Sequence, residues 1–93
     1  MPGETDRLAA LRKELRHIDQ QVIDLISKRH ELVRKIGETK QTLSLPVRDV
    51  PQEEINRTEN KQFAKGRLAD AMVDELSDFL AHWARLEQTQ AKF

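Results

Sequence analysis

Arg29 and Lys40 are the residues whose placement in this chain most directly suggests chemistry. Leu8, Leu11, Leu15, Ile18, Val22, Leu25, Leu32 and Ile36 recur at alternating steps of three and four, the spacing of a helix seam. The step after Leu25 falls at position 29, where an arginine stands instead of a leucine. A cation on a face meant for burial is costly unless an anion meets it. Lys40 follows eleven residues later. At about 100° per residue it returns to within roughly 20° of Arg29's face, about three turns along. Two cations sharing one inward face of a helix suit an anionic ligand. The competing readings are structural: Arg29 as a surface arginine where the seam ends, and Lys40 as a C-terminal lysine favoured by the helix dipole.

The elements that must position these residues are helical. Glycine and proline are scarce and tyrosine is absent, a composition that favours helix over sheet. Thr5 or Asp6 can cap a first helix that runs to about Leu43 with no proline to stop it. About 38 residues at 1.5 Å each span roughly 57 Å. That exceeds the width of a globule of this size, so much of the helix must pack on something else, and a second copy is the readiest candidate. Gly37 is an interior glycine that marks either a close approach or a tolerated defect of about 1 kcal/mol. Pro46 ends the helix at the residues before it. Asp49 can cap a second, short helix with Pro51 in its first turn, ending near Gly66. A third helix runs from about Leu68 to Gln90, with Met72, Leu76, Phe79, Leu80, Trp83 and Leu86 as its apolar stripe. The expected architecture is all-α, one domain over residues 1–93, with long, short and medium helices.

Composition excludes several classes of function. Sixteen basic residues balance sixteen acidic ones, so nothing calls for nucleic acid or an anionic membrane. With no cysteine there is no disulfide framework and no thiol chemistry. The first residues lack an apolar signal region and no apolar run approaches a membrane span. The reading is a soluble, cytoplasmic protein. His17, His30 and His82 have no mutual spacing that suits a metal. At 38% hydrophobic and 34% charged, the chain is lean in core material for a lone domain.

An ordered set of residues carries a resemblance. Arg12, then Lys28-Arg29-His30-Glu31-Leu32 and Ile36-Gly37-Glu38-Thr39-Lys40, then Leu45-Pro46-Val47-Arg48-Asp49 with Glu53, then Gln88, resembles the all-helical chorismate mutase family over about residues 8–90. The resemblance implies an intertwined homodimer in which two long first helices pair and each active site borrows an arginine from the other chain. The sequence agrees in one respect. Arg12 lies seventeen residues before Arg29, roughly 100° round the helix and about 25 Å away, so an antiparallel partner could bring it to Arg29's ligand.

The activity implied is the Claisen rearrangement of chorismate to prephenate, which needs no cofactor, metal or nucleophile. Such an enzyme holds a flexible dianion in a chair-like conformation and stabilises charge developing on its ether oxygen. Carried over by position, Arg12 of the partner chain and Arg29 bind substrate carboxylates. Lys40 binds a carboxylate and faces the ether oxygen, and Gln88 donates a second hydrogen bond there. Glu53, with Asp49 nearby, accepts from the ring hydroxyl. Each has a plainer reading beside it: Asp49 is a helix cap, Glu53 can pair with Arg57 four residues on, and Gln90, on the apolar stripe, competes with Gln88.

Two departures stand out. The family usually has an arginine just before that glutamate, where this chain has Gln52, and often a serine four residues before the glutamine, where this chain has Ala84. Both remove polar contacts to the substrate. His82-Trp83 with Glu87-Gln88 resembles the isochorismate pyruvate lyases of the same fold, which generally lack the loop acid that Asp49 supplies. An acidic pair would also suit the amino group of 4-amino-4-deoxychorismate. Outside enzymes, Gln52 and Ala84 favour a non-catalytic helical dimer that keeps the fold as a binding or regulatory module.

Overall fold

The computed structural model describes residues 2–90, with side chains described for residues 3–89. Three helices follow in order, α1 (Pro2–Thr42), α2 (Val50–Ala64) and α3 (Asp70–Gln90), with no strand among the described residues. The chain divides into two units, Met1–Glu31 and Leu32–Phe93.

The first unit is the leading part of α1. The helix starts earlier than the cap residues suggest: Thr5 and Asp6 lie inside it, and Pro2 opens it. A proline in the first turn fits because its missing N–H would have had no helical acceptor. The seam residues Leu8, Leu11, Leu15, Ile18, Val22 and Leu25 are all exposed in the single chain.

The second unit holds the end of α1, α2 and α3. Its α1 terminus is a Schellman closure. Ser44 N–H donates to Gln41 O at 3.1 Å and Leu45 N–H to Lys40 O at 2.8 Å, with Ser44 at φ 58. Pro46 follows this stop and does not itself make it. Asp49 caps α2 as expected: its Oδ1 accepts from Gln52 N–H at 3.0 Å, and Pro51 sits in the first turn. Gly66, at φ 80, turns the chain after α2, a conformation glycine adopts without a Cβ clash. Among the described residues the buried apolar side chains are few: Val33, Ala64 and Val73. The α3 stripe is not a core in the single chain, since Met72, Leu76, Phe79, Trp83 and Leu86 stay exposed. These side chains need a further apolar surface to be buried.

Polar ties between α2 and α3 compensate in part. Arg57 Nη1 lies 3.2 Å from Asp74 Oδ1, Lys61 Nζ lies 2.8 Å from the same oxygen, and Arg57 Nη2 donates to Asp78. The hydrogen bond from Lys61, then that from Arg57, holds the Asp74 carboxyl below its usual range. A depressed folded-state pKa contributes stability above the unfolded value and loses it as pH falls through the folded value. Asp74→Asn is therefore expected to be less stable than the parent at neutral pH, with the gap closing below the ordinary aspartate range. Urea unfolding across that range checks it.

Candidate active site

The last turns of α1 meet α3 at a glycine. An ideal Cβ on Gly37 would lie 3.1 Å from Gln88 Cα and 3.1 Å from its Cγ, tighter than ordinary contact, so with any other residue here α3 would have to give by a few tenths of an ångström. The close-approach reading of Gly37 holds, and the backbone approached is that of α3. Gln88 is 7% exposed, an amide that needs partners at this depth. It finds one on the same face of α1, three residues after Gly37: Lys40 Nζ donates to Gln88 Oε1 at 2.8 Å. Lys40 Nζ also donates to Val47 O at 2.8 Å, which ties residues 43–49 to the end of α1.

These two bonds fix the orientation of the pair. An ammonium only donates, so Gln88 must turn its oxygen to Lys40 and keep its NH2 as the end that donates elsewhere. Two N–H donors of Lys40 are engaged, out of the three an ammonium has. The arrangement supplies hydrogen-bond donors from two helices, one of them carrying a full charge, suited to an oxygen that becomes negative.

Gly37→Ala is expected to push Gln88 out of register with Lys40. Overpacking typically costs about 1–3 kcal/mol, against about 1 kcal/mol of helix propensity gained. Turnover should fall more than stability does, and steady-state kinetics beside urea unfolding separates the two.

The contacts continue around the start of α2. Arg85 Nη1, on α3, donates to Glu53 Oε1 at 3.1 Å. Arg48 Nε lies 3.5 Å from Glu53 Oε2, though its side chain is mostly exposed and the pair contributes little. Glu53 does not pair with Arg57, which is engaged by Asp74 and Asp78. Asp49 spends one carboxylate oxygen on the cap; a carboxylate has a second that can accept from a ligand. Two sets of contacts thus join the helices: Lys40 with Val47 and Gln88 between α1 and α3, and Glu53 with Arg48 and Arg85 between α2 and α3.

Arg12 and Arg29 belong to the first unit. Arg12 is exposed and Arg29 half-buried. Burial pushes the Arg29 guanidinium below its usual pKa, the cost expected of a cation on the seam. The side chain of Gln90 lies outside the described residues. His82 packs edge-on against Trp83 at 5.4 Å, a packing role. Arg85 is the participant the sequence reading missed. The signal available was its position three residues before Gln88, on the same side of α3.

The described class is an all-α protein in which a half-buried lysine near the end of the long first helix pairs with a buried glutamine of the third. The chain belongs to the chorismate mutase type II family, which matches residues 11–89. It is also similar to the bifunctional chorismate mutase/prephenate dehydratase of Buchnera aphidicola subsp. Schizaphis graminum (strain Sg), at 38% identity over 55 residues. That match covers 59% of this chain and 14% of the relative's length. No solved structure matches the chain. None of its helices, among the described residues, is long and apolar enough to cross a membrane.

Proposed function

We propose that this chain is a cytoplasmic chorismate mutase, converting chorismate to prephenate by Claisen rearrangement. The observation that carries the reading is the pairing of the half-buried Lys40 with the buried Gln88, together with membership of the family. In the rearrangement one carbon–oxygen bond breaks and one carbon–carbon bond forms within the same molecule, so no group leaves and none is added. The protein's task is to hold the substrate folded and to meet charge on the ether oxygen. Lys40 and Gln88 donate to that oxygen. Val47 O and Gln88 Oε1 hold the ammonium in place beforehand, so little reorganisation accompanies the reaction. Arg29 and a partner chain's Arg12 keep the carboxylate-binding roles that the resemblance gives them. Glu53 and the second oxygen of Asp49 accept from the ring hydroxyl.

The working form is a homodimer of single-domain chains. The exposed seam of α1 and stripe of α3 support it. Sedimentation at micromolar concentration should give about twice the chain mass. Activity is tested by incubating the protein with chorismate and, separately, with isochorismate and following the products by proton NMR. Prephenate as the product supports the reading. Release of pyruvate from isochorismate alone would turn it to a lyase, and no reaction above the spontaneous rate would leave a non-catalytic dimer.

A further inference from the structure

We propose that Arg85 binds a substrate carboxylate, supplying from α3 the cation that the resembled family carries on α2 at the position of Gln52. The proposal rests on the mutase reading above and adds a residue to its site. Gln52 does not supply that charge here. Gln52 is neutral, and its Nε2 donates to Asn56 Oδ1 at 2.9 Å, along the exposed face of α2 itself. Ala84 offers no polar group either. Arg85 follows Ala84 and reaches the residue after Gln52, donating to Glu53 at 3.1 Å. It is half-buried and one turn before Gln88, whose amide is held by Lys40.

The chemistry of a guanidinium fits this double duty. It has five N–H donors in a fixed fork, and a single bond to Glu53 uses one of them. A planar fork is suited to carboxylates, and partial burial strengthens such a contact. Glu53 lies between Arg85 and Arg48, so the cluster of one carboxylate and two guanidiniums carries a net positive charge. Lys40, bonded to Gln88 one turn along α3 from Arg85, adds a further positive charge, and such surroundings favour a dianion. The opposing view is that Arg85 only ties α3 to α2 through Glu53.

Three variants separate these views: Arg85→Ala, Arg85→Lys, and Arg85→Ala combined with Gln52→Arg. An arginine at 52 would restore the charge on α2, beside Glu53, without restoring the tie between helices. Kinetics with chorismate and calorimetric titration with prephenate are read beside thermal melting. Arg85→Ala should raise KM and weaken prephenate binding at least tenfold, with a smaller change in kcat. Arg85→Lys should recover part of this, and Gln52→Arg should recover affinity in the Arg85→Ala background. A lowered melting temperature with unchanged KM and prephenate affinity would overturn the proposal. So would a double variant no better at binding than Arg85→Ala. The titration keeps the two readings apart. A parent that binds prephenate through Arg85 but does not turn over chorismate would sustain Arg85 as a dicarboxylate-binding residue and remove the mutase. A parent that binds neither would overturn both.

Discussion

Lys40→Met should lower turnover of chorismate by about a thousandfold or more. Removing one donor to a developing oxyanion typically costs about 3–4 kcal/mol, or roughly a hundredfold to a thousandfold in rate. Here a formal charge leaves with the donor. Methionine keeps most of the length and apolar stem of lysine, so packing changes little. The change strands two acceptors, Val47 O and the buried Gln88 Oε1. An unsatisfied buried acceptor costs about 1–3 kcal/mol, so the variant should also melt lower. The kinetic effect should exceed what that loss explains, because charge on the ether oxygen is larger in the transition state than in the ground state. Steady-state kinetics at a temperature well below the variant's melting point isolates it.

Recovery of activity from two inactive proteins is the second large effect expected. Arg12→Ala and Arg29→Ala should each abolish most turnover, since each removes a cation proposed to bind the dianion. Mixed and allowed to exchange subunits, they should regain part of it. If each site takes Arg29 from one chain and Arg12 from its partner, a mixed dimer collects both changes in one site and leaves the other intact. Random exchange makes about half the dimers mixed, each with one working site of two, so recovery should approach a quarter of the parent's rate. No recovery, with exchange shown by mass spectrometry, would place both arginines outside a shared site.

Local chemistry was the legible part of this fold. Asp49, Pro51 and Gly66 mark the ends of α2 because a cap, a preset φ and a positive φ are properties of single residues. The stop of α1 was harder to read: the left-handed position is held by Ser44, a residue that does not announce such a backbone. Lys40 was named from the helix face it shares with Arg29, and Gln88 from the order of motifs. Their contact depends on how closely α3 approaches Gly37, and no spacing along the chain encodes that distance. Arg85 was missed for the same reason. Its bond to Glu53 is set by the register of α3 against α2, whereas the i+4 pairing of Glu53 with Arg57 could be drawn on a single helix. The stripe of α3 was legible as apolar, but its exposure in one chain was not. Periodicity says which face is apolar and not which surface covers it.

The pH dependence of Gln88→Glu tests most directly whether Gln88, held by Lys40, donates to the ether oxygen. An ionised glutamate would repel the developing charge, while a protonated one can donate a hydrogen bond in place of the amide NH2. Burial and the dianionic substrate favour the protonated form, and the Lys40 ammonium opposes it. The account predicts turnover that is low near about pH 8 and climbs toward the parent's as the pH falls to about 5, in the direction in which a carboxyl gains its proton. A Gln88→Glu profile that runs parallel to the parent's across that range would contradict it and remove residue 88 from the ether-oxygen site.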